Sequence, residues 1–177
     1  MSNLNQNQTI AEQVKTNDAV TKLDRMRYNK NKLASTLALV AIVFNALYFV
    51  CVYKTDVGTY FYKMMIGFSV LYNLVFMLVA FLSSESVKNY KLSFAVVMLV
   101  LGVMQIVRIF YIPLQALRAP VSEGSMTTVI DSGKFILMTV YLSLSSASLF
   151  AGGVIGAIRS LKLTKFQQEI EKEKANA

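Results

Sequence analysis

The chain has no histidine, no tryptophan, one cysteine and two prolines in 177 residues. Without histidine the commonest general base and metal ligand is missing. The lone Cys51 can close no internal disulfide, and no Cys/His set exists for zinc. In the run Tyr48-Phe49-Val50-Cys51 it reads as an apolar filler. None of the ten acidic residues falls inside a long apolar run. Proton- or cation-driven transport normally needs such an acid. No nucleophile–base pair, metal cluster or phosphate loop is visible, so neither an enzyme nor a cofactor is expected.

What is present is apolar length. The hydrophobic fraction is 55%, gathered into four blocks at 33–53, 64–82, 92–114 and 135–158. About 20 apolar residues at 1.5 Å each cross a bilayer core. The expected fold is therefore all-α: an antiparallel bundle of four transmembrane helices spanning 33–158. A basic segment, 1–32, precedes it, with polar residues 1–9 expected to be disordered. A charged tail, 159–177, follows. No signal peptide is expected, because the first apolar run begins late and follows basic residues.

The formal charge of +8 could point to nucleic acid, but its placement points to a membrane surface. With four spans, both tails and the second loop share one side. That side holds thirteen Lys/Arg, against four on the other. The positive-inside rule then places both termini in the cytoplasm, and the chain is expected in the plasma membrane. Arg25, Arg27, Lys30, Lys32, Arg159 and Lys162 form an expected basic patch at the inner leaflet.

The connections differ. Residues 83–91 read as a short turn. The longest loop, 115–134, begins near Pro113 and Pro120, and its turn signals around 126–130 would suit a small hairpin. The tail beyond Arg159 keeps a helical pattern, with Leu163, Phe166 and Ile170 on one side. It either lengthens the fourth helix or lies on the leaflet.

Each span carries a stripe of small or polar residues. Ala34, Ala38, Ala41, Asn45 and Tyr48 fall on one face of the first; Ser69, Asn73, Phe76 and Ala80 on one face of the second. Gly102, Gln105 and Arg108 share a face of the third. Tyr141, Ser145, Ser148, Gly152 and Gly156 mark the fourth. Small residues let helix backbones approach where lipid gives no hydrophobic drive. Gly152→Leu is accordingly expected to destabilise by overpacking. By count, Asn45, Asn73, Gln105 and Ser145 reach one mid-membrane level, where unpaired polar groups are costly. An interhelical hydrogen-bond layer is expected, with Asn73→Leu a mild change because the amide leaves together with its bonds.

Arg108 is the only charge within any block. An arginine at mid-membrane costs roughly 2.5–3.5 kcal/mol on insertion scales, which the surrounding Leu, Val, Ile and Phe offset. It either snorkels outward to lipid headgroups or to acids such as Asp56, Glu123 or Asp131, or turns inward toward Tyr48 and Tyr141. The inward reading creates a basic pocket. The expected function is a non-enzymatic accessory or scaffold subunit of a membrane complex, or a lipid-organising bundle. Its partners would be the bilayer and another membrane protein or a second copy, with no nucleic acid. The alternative is a transporter or channel subunit passing a small anion or neutral solute along Arg108, Gln105, Asn45 and Asn73.

Overall fold

The computed structural model describes residues 30–53, 60–118 and 130–176, with Val14, Asn17, Asp18, Val20, Thr21 and Arg25 before them. Within these, the elements are α1 (Lys32–Tyr53), α2 (Tyr60–Lys88), α3 (Leu92–Tyr111), the short α4 (Pro113–Arg118) and α5 (Ser132–Asn176). No strand occurs among the described residues. The expected hairpin falls largely on 119–129, outside them. α1, α2, α5 and α3 running on into α4 are each long and apolar enough to cross a membrane.

Burial is inverted relative to a water-soluble protein. Ala34, Ala38, Ala41, Asn45, Asn73 and Gln105 are 0% exposed, whereas Phe68 and Phe110 are 69% and 63% exposed. Lipid is as apolar as leucine, so nothing drives the large side chains inward, and packing selects small and hydrogen-bonding groups instead. Helices satisfy every backbone amide internally, which hydrocarbon demands.

Two helices run longer than their apolar blocks. α2 continues through Ser83, Ser84 and Ser86 to Lys88, leaving only Asn89, Tyr90 and Lys91 as the turn. The serines do not end the helix because their hydroxyls find partners. Ser83 Oγ donates back to Val79 O at 2.7 Å, and Ser84 Oγ donates to Ser35 O of α1 at 3.1 Å. α5, with 45 residues, extends about 68 Å at 1.5 Å per residue, twice the ~30 Å hydrocarbon core. Of the two alternatives for the tail, continuation of the helix is the one observed.

The turn after α2 is a left-handed cap. Tyr90 N–H donates to Val87 O at 3.0 Å and Lys91 N–H to Ser86 O at 3.3 Å, with Tyr90 at φ 60°. This is the Schellman arrangement, which ordinarily places glycine where Tyr90 stands. Ser160 Oγ of α5 holds the Tyr90 carbonyl at 2.8 Å. At the same level Asn31 N–H meets Lys88 O at 3.2 Å, and Arg159 Nη1 donates to Asn31 Oδ1 at 2.9 Å. Ser160→Ala is expected to lower stability by about 1 kcal/mol, the worth of one part-buried hydrogen bond. Thr164, exposed and bonded only back to Ser160 O, supplies the control. Its alanine variant should unfold within about 0.5 kcal/mol of the parent in detergent, and equal loss at both positions would contradict the clamp.

α3 stops where Pro113 removes the next amide donor. Proline then suits the first position of α4.

Candidate functional site

All four long helices contribute to one buried polar layer. Asn45 comes from α1, Ser69 and Asn73 from α2, Gln105 and Arg108 from α3, and Ser145 from α5; all are buried. Arg108 Nη1 donates to Asn73 Oδ1 at 2.8 Å and to Asn45 Oδ1 at 3.1 Å, and Nη2 donates to Ser69 Oγ at 3.1 Å. Gln105 Nε2 donates to Asn45 Oδ1 at 3.0 Å and to Ser145 Oγ at 3.2 Å. Asn45 Nδ2 reaches Asn73 Oδ1 at 3.1 Å, Asn73 Nδ2 returns to Ser69 O at 2.9 Å, and Ser145 Oγ donates to Ala41 O at 2.9 Å. Two amide oxygens thus each accept twice.

Arg108 is turned inward. Its Cα stands a turn beyond Gln105, but long helical side chains lean toward the helix N-terminus. In α3 that lean carries the guanidinium back to the level of Asn45 and Asn73. Among the three acids weighed for an outward arginine, Asp131 instead accepts from Gly133 N–H at 3.3 Å, and Asp56 and Glu123 lie outside the described residues. Two tyrosine rings cover the guanidinium, Tyr48 at 4.4 Å and Tyr72 at 4.8 Å from ring centroid to Cζ. The second ring is Tyr72 rather than Tyr141, which packs with Val52, Met138 and Leu142. Helix depth fixes the height of Tyr141 but not its direction around the axis.

The layer is rich in donors and short of negative charge. Among the described residues no carboxylate comes within ion-pair distance of Arg108. Arg108 Nε, Gln105 Oε1 and the hydroxyls of Tyr48 and Tyr72 are buried without a hydrogen-bond partner among the described residues. Apolar clusters close the layer on both sides. Ala34, Ala38, Ala80, Ala95, Met98 and Leu149 lie toward the 89–91 turn; Val52, Ile130, Met138 and Leu142 lie toward the opposite end.

The α5 seam faces three neighbours, Gly156 bordering Ala34 of α1, Val87 of α2 and Ala95 of α3. Gly152 and Gly156 are buried, and Ser148 is only half-buried. Gly153 and Ser146, which the single-stripe count leaves out, are buried as well, Ser146 Oγ donating to Gly102 O at 2.8 Å. Of the expected basic patch, Arg25, Lys30, Lys32, Arg159 and Lys162 are exposed; Arg27 lies outside the described residues. Among the described residues no group of His, Cys, Asp and Glu could hold a metal.

A cavity adjoins Arg108 between α2 and α3. It measures about 320 Å³ and is lined by Phe68, Ser69, Tyr72, Met104, Val107 and Arg108, among others. A second, wholly apolar hollow of about 380 Å³ continues from Tyr72 and Met104 past Val75 and Val100 to Val79 and Val96. Residues on the rims, such as Phe68, Val75, Val100 and Val107, are half or more exposed, so in a bilayer the groove opens to lipid.

Fold and site together have the make-up of a multi-pass helical membrane protein with a charged interior layer. No family model matches the chain, and no curated protein and no solved structure is significantly similar to it.

Proposed function

We propose that the protein is a non-enzymatic integral membrane protein that works by binding within the bilayer. It serves as an accessory or scaffold subunit of a larger membrane complex or as a lipid-organising bundle. In this reading the four spans run alternately up and down, with both termini in the cytoplasm and the chain in the plasma membrane. The thirteen-to-four asymmetry of Lys/Arg supports that orientation. The meeting of the start of α1 with the end of α2, through Ser35 and Ser84 at 2.8 Å, supports the up-and-down course.

One observation carries the proposal. Among the described residues a buried arginine is held only by neutral oxygens and rings, beside a groove open to lipid. A membrane-embedded ionisable group commonly marks a functional site and calls for a partner. Here the partner has to come from outside the described residues.

Passage of a small anion through the same layer is the weaker reading. A conducting path needs polar groups along its whole length, and apolar clusters bound this layer above and below. The experiment is purification in a mild uncharged detergent. A partner recovered in stoichiometric amount and lost on Arg108→Gln supports the binding role. A chain that purifies alone and conducts solute after reconstitution, with Arg108→Leu abolishing the flux, rejects it.

A further inference from the structure

We propose that the groove between α2 and α3 is a binding site for a single-chain anionic amphiphile, a fatty carboxylate. Arg108 and Tyr72 hold its headgroup, and its chain lies along the apolar hollow. The inference rests on the binding role proposed above and names its ligand class.

Charge is the first reason. Arg108 brings a full positive charge into the helix bundle, and Asn45, Asn73 and Ser69 supply dipoles but no negative charge. Its donors are not exhausted. Among the described residues Nε has no partner, and Nη2 gives one of its two N–H groups to Ser69. Those unused donors belong to the fork that carboxylates take in bidentate fashion. The Tyr72 hydroxyl, buried and equally unpartnered, is a third donor beside the same cavity. Both atoms are buried, and the residues that carry them line the groove.

Shape is the second. Beyond Tyr72 and Met104 the groove loses every polar group and continues between α2 and α3 as far as Val79 and Val96. From Arg108 to Val96 is twelve residues of α3, about 18 Å at 1.5 Å per residue. One leaflet is about 15 Å deep, half of the ~30 Å core. The trough therefore takes an acyl chain lengthwise. Cavities of about 320 and 380 Å³ are too small to admit a helix 10–12 Å across. A partner helix could only lie over the groove and reach into it with single side chains.

Orientation is the third. Arg108 lies near the end of α3 that leads into Pro113, and the trough runs from it toward the 89–91 turn. A chain entering from the leaflet at the Pro113 end has this head-to-tail direction and meets Arg108 by sinking to the level of Asn45 and Asn73.

The test uses full-length protein in an uncharged maltoside detergent. Radiolabelled palmitate is offered at pH 8, with hexadecanol as the uncharged counterpart. Retention should approach one palmitate per chain, with a raised unfolding temperature, while hexadecanol binds at least tenfold more weakly. Arg108→Gln should weaken palmitate at least tenfold. Val100→Trp, at an exposed position on the trough, should do the same while leaving the polar layer intact. Equal binding of acid and alcohol would overturn the headgroup assignment, and full binding by Val100→Trp would overturn the trough. If palmitate fails to bind while an Arg108-dependent protein partner co-purifies, the lipid proposal is wrong and the accessory-subunit reading stands.

Discussion

Gly152→Leu is expected to destabilise the bundle by about 3 kcal/mol, the upper part of the usual range for overpacking. A Cβ at this position would stand 2.6 Å from Met98 Cε, 3.1 Å from Ala34 O and 3.2 Å from Leu37 Cβ. The methionine tip can swing aside, but the Ala34 carbonyl belongs to the α1 backbone and moves only with the helix. Gly153 faces the other neighbour, where a Cβ would lie 2.7 Å from Leu99 Cδ2 and 3.1 Å from Ala95 O. The adjacent glycines thus let α5 approach α1 and α3 at once. Gly67 is the control, since a Cβ there meets nothing within 4 Å. Thermal unfolding in detergent should show a large drop for Gly152→Leu and none for Gly67→Leu. A Gly152→Leu protein that melts with the parent would contradict the close approach.

Asn73→Leu is expected to cost about 2–3 kcal/mol, because it strands a charged donor inside the bundle. This reverses the expectation from sequence, in which the amide leaves together with its own bonds and little is lost. An ordinary interhelical hydrogen bond in a membrane contributes only about 0.6 kcal/mol. Asn73 Oδ1, however, takes the shortest of the Arg108 contacts, 2.8 Å, together with Asn45 Nδ2 at 3.1 Å. Leucine would leave Nη1 with Asn45 alone. Arg108→Leu should be the milder of the two, since it removes the charge and leaves Asn45, Asn73 and Gln105 able to satisfy one another. Denaturation in mixed micelles gives the order directly, and an Arg108→Leu variant less stable than Asn73→Leu would contradict it.

The spans and their packing stripes were legible because lipid reverses the usual code for burial. Ala34, Ala38, Ala41 and Asn45 stand out as small or polar positions at steps of four, four less one, and four along an apolar helix, and all are buried. Three features were not legible, each for its own reason. Ser83, Ser84 and Ser86 look like a turn in sequence, yet bonds to Val79 O and to Ser35 keep the first two helical. Gly153 and Ser146 lie off the stripe because one stripe implies one neighbour, and α5 packs on several. Tyr72 gives no such signal because it sits one residue from the Asn73 stripe, on the flank that borders the groove. Counting residues gives depth along a helix, and Tyr141 has the depth without the direction.

The inward course of Arg108 could be weighed from sequence but not decided there, since its Cα lies close enough to one end of α3 for a snorkelling side chain. The deciding feature is tertiary. Acceptors on α1 and α2 stand at the level to which a helical arginine naturally leans. The lipid-open groove follows from the same arrangement. α2 and α3 meet through the arginine and its acceptors at one level, and valines rather than interlocking small residues line the space beyond.

The most direct measurement is a double-mutant cycle between Arg108 and Asn73, read as unfolding free energy in mixed micelles. With the guanidinium held by Asn73, the double variant Asn73→Leu/Arg108→Leu should be more stable than Asn73→Leu alone, with a coupling of about 2 kcal/mol. Losses that simply add, to within about 0.5 kcal/mol, would mean that the arginine points away from its neighbours and that the charged interior layer does not exist.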